Sequence, residues 1–324
     1  MVFSTAAEIK RPVRLQEATR EWAYASLYGK YGDDTMKTAY VDLDDIEGFE
    51  GLSVTEKYNR AIRRIAEKAP IRICSEEKIC GAATLGDAIR HLVPARYKGQ
   101  NPFYSVSHLT IRYDKVLKQG LNAYAEDIAK RLKDTSLSEE EILFLHSLEN
   151  VIESIRIWHH RYLTATENRR PDLHRLLHQV PFSPARNFHE ALQSLWFIFA
   201  FVRLCGNWPG IGRLDWLLGD FLEKDLLNGL LTENEARELL ASFFIKGCEW
   251  IRSDPPVGTG DAQHYQNIVL AGINADGNEI TNQVTFLVLD IVEELAISDF
   301  PITVRLNKNT SYALKEKTAQ VMRH

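Results

Sequence analysis

Histidines at helical spacing are the first candidates for chemistry in this sequence. His174 and His178 lie four positions apart, which places both imidazoles on one helix face at a spacing that suits a metal ion. Glu167 precedes them, but no His-Glu-x-x-His pattern and no further ligand pair accompanies them. The pattern therefore favours surface histidines, and a metal hydrolase is the minor alternative. The doublet His159-His160 cannot share a helix face and is also predicted to lie at the surface.

Thiols are the second kind of candidate. Cys74, Cys80, Cys205 and Cys248 are scattered, and no Cys-x-x-Cys occurs. A chain of this composition needs no disulfides, so the pattern predicts buried, reduced thiols. Cys205 is set apart from the other three because it lies in a turn of unusual composition.

That turn follows an apolar helix, in the segment NFHEALQSLWFIFAFVRLCGNWPGIGRLD from Asn187 to Asp215. Asn187 can cap the helix start, and Glu190 lies where a capping box needs it. Ala191–Val202 contains only two polar residues, which predicts a helix buried on all sides inside a large protein. The helix breaks near Gly206, and GIGRLD opens the next one.

Helices and then strands must position these residues. The helices predicted before residue 252 are Leu15–Tyr28, Val54–Lys68, Tyr113–Lys133, Ser138–Thr164, Phe188–Val202, Leu214–Leu227 and Glu233–Ile251. After it come a strand over 266–273, a helix over Gln283–Glu294, a strand over Phe300–Leu306 and a helix from Ser311. The sequence therefore predicts a mainly helical region (1–251) that leads into the start of an α/β core (252–324), within one domain.

Composition narrows the class of protein. The 324 residues are 45% hydrophobic and 26% charged, with a net charge of −5 and no long run of one sign. This balance argues against nucleic-acid binding and against a basic membrane surface. Because neither a signal peptide nor about 18 consecutive apolar residues is found, the sequence predicts a cytoplasmic protein.

The last helix shows no stop signal before His324, and two readable strands cannot close a barrel. An incomplete barrel would leave an open sheet edge, which is unfavourable for an isolated protein. We therefore expect the 324 residues to be a truncated polypeptide.

Four segments in order resemble the glycyl radical enzymes, the pyruvate formate-lyase and diol dehydratase family. One of them, residues 167–193, resembles the family's run from an Arg-rich helix end through Val-Pro to the Glu-Ala-Leu-Gln helix. SVSHLTIRYDKVLKQGL (105–121) is similar to a family segment in which His108, Tyr113, Leu117 and Gly120 fall in register, although Ser107 and Arg112 replace a Gly and a Pro. The Asn187–Asp215 segment carries the Phe-x-Glu-Ala-Leu-Gln helix and Gly-Arg-x-Asp. Residues 266–305 are similar to the family's Asp-Gly turn, Thr-Asn-x-x-Thr helix start and Val-Arg strand. The likeness spans roughly residues 60–324.

The resemblance implies radical chemistry in a ten-stranded barrel. In the family, a backbone glycyl radical is passed to a cysteine, whose thiyl radical takes hydrogen from the substrate. Both residues normally lie beyond the Val-Arg strand. None of the four cysteines is in a Gly-Cys-x-Glu or Cys-Cys context, and no Arg-Val-x-Gly-Tyr occurs. The catalytic pair is therefore expected outside these 324 residues, and the chain alone is expected to be inactive.

His108 is the leading site residue that the resemblance implies, since the matching histidine of dehydratases faces the substrate hydroxyl. A neutral imidazole could donate or accept a hydrogen bond there. The alternative is a histidine that caps a helix or bonds a core carbonyl.

The turn before Gly-Arg-x-Asp is implied to line the substrate site through Cys205, Trp208 and Gly210. Many relatives carry a substrate-contacting Ser at the position of Gly210, and Trp208 adds a bulky ring. These departures point away from glycerol-type recognition and towards a larger or flatter pocket. Arg213, Asp215 and Arg305 are interpreted as structural residues near the site.

The leading hypothesis is the N-terminal part of a glycyl radical dehydratase or lyase of anaerobic metabolism that acts on a small polar substrate. A formate acetyltransferase-like, C–C-cleaving enzyme and a non-catalytic helical scaffold are the alternatives. The resemblance further implies a homodimer, a separate radical S-adenosylmethionine activase that installs the radical, and no small-molecule cofactor or metal bound to the chain.

Overall fold

A computed structural model describes residues 10–35, 40–82, 93–103, 109–207, 209–249, 267–297 and 300–323. The helices in these ranges are α1 Glu17–Leu27, α2 Lys30–Thr35, α3 Val54–Lys68, α4 Tyr113–Arg131, α5 Glu139–Thr166, α6 Pro171–Gln179, α7 Phe188–Leu204, α8 Leu214–Leu227, α9 Glu233–Lys246, α10 Gln283–Leu295 and α11 Tyr312–Val321. The strands are β1 Val41–Asp42, β2 Ala95–Arg96, β3 Gly212–Arg213, β4 Ile268–Ala271 and β5 Ile302–Arg305. The predicted class, mainly helical with an α/β part, is confirmed.

Parallel strands form the α/β part. β3, β4 and β5 make one sheet in that order, with Val269 opposite Thr303 and Ala271 opposite Arg305. The sheet begins earlier in the chain than predicted, because the two residues of β3 pair with β4 directly before α8 begins. A strand this short carries no alternating pattern, so the sequence showed only the helix that follows it.

The centre of the core is α7, which is buried along nearly its whole length as predicted. Asn187 caps it, since its side-chain oxygen accepts the backbone N–H of Glu190 at 2.9 Å. The capping box is not completed, however. The Glu190 carboxylate instead accepts the backbone N–H and the guanidinium N–H groups of Arg186.

Helix α4 is interrupted at Gly120, which has φ 74° and ψ 169°. The backbone N–H groups of Leu121 and Asn122 leave the helical pattern and donate to the carbonyls of Pro181 and Phe182, at 2.9 and 3.1 Å. A Cβ at position 120 would collide with the Phe182 carbonyl oxygen. The Gly-Leu pair of the family segment therefore marks the point where the chain between α6 and α7 crosses α4.

Two predictions need correction. His159 is not a surface residue: it is 9% exposed, and its Nε2 lies 2.8 Å from the Leu177 carbonyl oxygen, whereas its neighbour His160 is exposed. The helix expected over Glu233–Ile251 ends at Lys246, and a turn occupies 247–249. Gly247 directly follows the last helical residue, and a side chain there would overlap the ring of Phe300.

Among the described helices, none is long and apolar enough to cross a bilayer.

Candidate functional site: a clamp at the carboxyl end of the sheet

Arg213, the last residue of β3, reaches over the neighbouring strand. Its two terminal guanidinium nitrogens donate to the carbonyls of Ala271 and Ile273, each at 2.9 Å. Because β3 and β4 run in parallel, the end of β3 lies beside the end of β4. The guanidinium therefore reaches the carbonyl of the last residue of β4 and a carbonyl just beyond it. Arg213 thus fixes the path of the chain as it leaves β4.

Asp215 holds the same turn from the other side. Its Oδ2 accepts the backbone N–H of Ala271 at 2.6 Å and the Thr285 hydroxyl at 2.8 Å. Its Oδ1 accepts the backbone N–H of Trp216 at 2.9 Å. Burial raises the pKa of this carboxyl above its usual value, and the hydrogen bonds from these donors oppose the rise.

The turn needs this support because its backbone is unusual. Ala271 has φ 59° and Gly272 has φ 85°, so two successive residues occupy the left-handed region. A non-glycine residue costs roughly 1–2 kcal/mol in that region. A Cβ at position 272 would lie 2.9 Å from the Cβ of Arg305, so only glycine fits beside β5. The carboxylate of Asp215 stabilises Ala271 in this conformation through its N–H.

Two of the sequence motifs meet at Asp215. Asn282 donates from Nδ2 to the Asp215 carbonyl oxygen at 2.9 Å, and Thr285 bonds the carboxylate. The same Asn282 caps α10 by accepting the Val284 N–H at 2.9 Å. Gly219 leaves room for it, since a Cβ there would overlap the Asn282 amide. Gly-Arg-x-Asp and Thr-Asn-x-x-Thr are therefore two halves of one structure, which the sequence analysis did not connect.

The clamp comprises Arg213, Asp215, Ala271, Asn282 and Thr285. Arg305 lies next to it at the end of β5, exposed, with its side chain packed over Gly272. The structure thus brings together all three residues that were interpreted as structural, at the carboxyl end of the parallel strands. Ligands in open parallel sheets bind at this end of the strands.

The predicted substrate-binding residues are placed less completely. His108 and Trp208 lie outside the described residues. Cys205 ends α7 and is 3% exposed, and burial raises the pKa of its thiol far above the ordinary value. Cys205 therefore offers a neutral thiol. All four cysteines are buried and free, as predicted.

Gly210 lies two residues before β3, where it forms a parallel bridge with Thr110. The Gly210 N–H donates to the Leu109 carbonyl at 3.0 Å. A Cβ at 210 would lie 2.8 Å from the Thr110 hydroxyl oxygen, and one at Gly212 would lie 3.2 Å from the Thr110 methyl. The Thr110 side chain thus occupies the space left by two glycines. Thr110 was not among the predicted site residues, although it follows His108 by only two residues.

A cleft of about 310 Å³ opens between the start of α4 and the start of α8. Thr110, Arg112, Arg213 and Trp216 are among the residues that line it, and Trp216 is 48% exposed. Of the predicted site residues that are described, only Arg213 contributes to this cleft. The cleft is therefore adjacent to the clamp rather than centred on the predicted substrate residues.

A second group of buried, charged side chains was not predicted from the sequence. Lys246 is fully buried at the end of α9, and its ammonium lies 2.6 Å from Glu77 and 2.9 Å from Glu249. Arg72 lies 3.0 Å from the other oxygen of Glu249. The sequence did carry a signal for this group. Lys246 directly follows the run Phe-Phe-Ile, and Glu249 lies three residues after it.

This buried ion-pair group has strongly perturbed proton affinities. Burial raises the pKa of Glu77 to about 7, against the opposing effect of Lys246. Burial alone would lower the pKa of Lys246, but Glu249 and Glu77 raise it well above its ordinary value. One ligand atom each from Cys74, Glu77 and Glu249 lies within 4.8 Å of the other two. Because the Lys246 ammonium and the Arg72 guanidinium together balance the charges of Glu77 and Glu249, the group is an ion-pair network rather than a metal centre.

Comparison with known proteins identifies the family to which these parallel strands, the clamp and the surrounding helices belong. Residues 94–324 match the family described as pyruvate formate lyase-like, and the chain belongs to that family. The resemblance stated from the motifs is thereby confirmed.

Individual relatives include the isethionate sulfite-lyase of Nitratidesulfovibrio vulgaris, 28% identical, with 61% of this chain and 27% of the relative covered. The trans-4-hydroxy-L-proline dehydratase of Clostridioides difficile is 29% identical, with 44% of this chain and 19% of the relative covered. The matched segments thus cover only 27% and 19% of the lengths of these two curated relatives.

Solved structures show the same fold. A structure concerned with 1,2-propanediol dehydration in Roseburia inulinivorans has a TM-score of 0.76 and 21% identity, and covers 96% of this chain and 50% of its own. The hydroxyproline dehydratase of Clostridioides difficile, with its substrate bound, has a TM-score of 0.75 and 18% identity, and covers 97% and 50%. At these identities the likeness concerns the fold alone.

Proposed function

We propose that these 324 residues form the N-terminal part of a glycyl radical dehydratase or lyase that acts on a small polar substrate. The observation that carries the proposal is the clamp. Through Asp215 and Arg213, two family motifs combine to hold the left-handed turn after β4 and so set the carboxyl ends of two parallel strands. Rigid placement of strand ends is what a radical site needs, because hydrogen abstraction demands close alignment of the reacting atoms.

The names of the relatives favour a lyase over an acyltransferase. Isethionate sulfite-lyase, hydroxyproline dehydratase, (2S)-3-sulfopropanediol dehydratase and indoleacetate decarboxylase are among the curated matches. We carry over only their shared character, which is cleavage of a bond to carbon in a small polar molecule.

The residues of this chain would bind and shield the substrate rather than carry the radical. In this proposal His108 donates or accepts a hydrogen bond at a substrate hydroxyl, and the turn with Cys205, Trp208 and Gly210 forms part of the wall. The Thr110 hydroxyl, 2.8 Å from the Cβ position of Gly210, adds a polar group to that wall. The hydrogen-abstracting cysteine and the radical glycine come from a part of the protein outside these residues.

The remaining proposals concern assembly and location. We infer a homodimer and a separate radical S-adenosylmethionine activase, as the resemblance implies, and no small-molecule cofactor held by the chain itself. An anaerobic cytoplasm suits both the radical and the four reduced thiols.

The test uses the whole protein that contains this chain. It is activated anaerobically with a radical S-adenosylmethionine activase and observed by electron paramagnetic resonance for a glycyl doublet. Turnover is then measured on isethionate, trans-4-hydroxy-L-proline and 1,2-propanediol. We expect a doublet in the whole protein and none in the 324-residue chain.

The His108→Ala variant of the whole protein sharpens the result. It should keep the doublet, because storage of the radical does not involve this imidazole, and lose most of its turnover. Absence of a doublet from the activated whole protein would refute the radical proposal. A doublet on the 324-residue chain alone would refute the placement of the radical residues.

A further inference from the structure

The histidine pair of α6 has a geometry that the sequence spacing alone did not reveal. The Nε2 atoms of His174 and His178 lie 3.0 Å apart, and the two rings meet edge to face at 85° with their centroids 4.6 Å apart. Two side chains at i and i+4 share a helix face, but their nitrogens converge only when both rings are turned towards each other.

The fold fixes the orientation of His174. Its Nδ1 lies 2.9 Å from the carbonyl oxygen of Leu163 in the last turns of α5, and the side chain is half-buried between the two helices. A carbonyl oxygen can only accept, so Nδ1 carries the proton and the lone pair of the ring lies on Nε2. Metal-ligating histidines usually have this arrangement, in which the other ring nitrogen donates to a backbone carbonyl.

His178 completes the pair from the solvent side. The side chain is exposed, and in the metal-free state its Nε2–H can donate to the lone pair on His174 Nε2. When a metal ion binds, this proton moves to Nδ1 of His178 by tautomerisation, and an ion placed to one side of the line between the two Nε2 atoms meets two lone pairs at once. Its remaining coordination positions would be filled by water, since no third His, Cys, Asp or Glu joins the pair among the residues that the structure describes.

The separation of the nitrogens selects among metals. With metal–nitrogen bonds of about 2.05 Å, nitrogens 3.0 Å apart subtend an angle of about 94° at the metal. A tetrahedral site would need the nitrogens about 3.35 Å apart at the same bond length. An angle near 90° corresponds to neighbouring positions of a square-planar or octahedral ion, which suits Cu²⁺ and Ni²⁺ better than Zn²⁺.

We propose that His174 and His178 form a two-histidine chelate for a divalent transition-metal ion, with Ni²⁺ and Cu²⁺ preferred to Zn²⁺. Both histidines lie on α6, and the site does not depend on the radical chemistry proposed above.

Calorimetric titration of the whole protein that contains this chain with Ni²⁺ tests the proposal. The variants are His178→Ala and His174→Ala, and the matched control is His160→Ala, which removes an exposed imidazole from neighbouring α5. We expect one Ni²⁺ per wild-type chain, an affinity at least about tenfold lower in either pair variant, and an affinity unchanged in the control. Circular dichroism of each variant shows that the helices are retained.

Visible absorption with Co²⁺ then tests the angle. A site with angles near 90° gives the weak bands of six-coordinate Co²⁺, whereas a tetrahedral site gives intense bands. The chelate is refuted if wild-type protein binds no Ni²⁺, or if His178→Ala binds as tightly as the control. Intense Co²⁺ bands would overturn the preference for Ni²⁺ and Cu²⁺.

Discussion

Replacement of Asp215 tests the clamp most directly. In Asp215→Ala, three donors lose their acceptor: the buried N–H of Ala271, the buried hydroxyl of Thr285 and the partly buried N–H of Trp216. A buried donor left unpaired costs about 1–3 kcal/mol, and water entering the vacated space recovers part of that. We therefore expect the free energy of unfolding to fall by about 3–5 kcal/mol, which is the sum for the three donors after that recovery.

Asp215→Asn should be much milder. The asparagine oxygen can take the place of Oδ2 and keep the bonds from Ala271 and Thr285, while its amide faces the Trp216 N–H and loses that one bond. Because burial raises the pKa of Asp215, removal of the charge also relieves a desolvation cost. The two effects oppose each other, so the expected loss is about 1 kcal/mol.

Urea unfolding followed by tryptophan fluorescence measures these losses, and hydrogen exchange at the Ala271 amide reports on the turn itself. Asp220→Asn is the control, since Asp220 is exposed on the same helix and should change stability by less than about 0.5 kcal/mol. The clamp has no energetic role if Asp215→Ala unfolds like this control. An Ala271 amide that stays fully protected in Asp215→Ala would also contradict the reasoning.

Three further substitutions test other parts of the fold. Gly120→Ala should destabilise by about 2–4 kcal/mol because φ is 74° and the new Cβ meets the Phe182 carbonyl, whereas Gly51→Ala, with open space around it, should be close to neutral in urea unfolding. Burial lowers the pKa of His159 to about 4, below the unfolded value near 6.5. The contribution of the neutral His159 imidazole to the free energy of unfolding is therefore present above pH 6.5 and is lost as the pH falls towards 4, by about 3 kcal/mol in total. In His159→Gln the free energy of unfolding should depend less on pH in this range. Lys246→Met leaves two buried carboxylates without their ammonium and should lower the free energy of unfolding by about 3–5 kcal/mol. The double variant Lys246→Met with Glu77→Gln should recover part of this loss. Equal thermal stability of the two variants would contradict the ion-pair account.

Much of the architecture could be predicted because helical periodicity and caps are local signals. The bounds of α3 and α8 match the structure, and α7 was recognised as buried from its composition. Arg213 and Asp215 were interpreted as structural residues near the site, and both bond the backbone at Ala271. Both kinds of information lie within a few consecutive residues.

What could not be predicted depends on residues far apart in the chain. At the break of α4, the N–H groups after Gly120 bond the carbonyls of residues 181 and 182. The buried imidazole of His159 has its hydrogen-bond partner at the Leu177 carbonyl on α6. β3 is a strand only because β4 lies beside it. The direction of the His174 ring is set by a carbonyl on another helix. No local pattern encodes such partners.

The clamp also imposes an order on events during synthesis. The carboxylate of Asp215 and the hydroxyl of Thr285 are 70 residues apart in the chain. At about 5–20 residues per second, a ribosome needs roughly 4–14 s to add that stretch. Until Thr285 is available, the carboxylate cannot complete its set of donors, and the end of β4 has only part of its support. The nascent chain therefore passes through a period in which its apolar helix α7 is already made while the neighbouring sheet is not yet locked, and in that period chaperones would find the most exposed apolar surface.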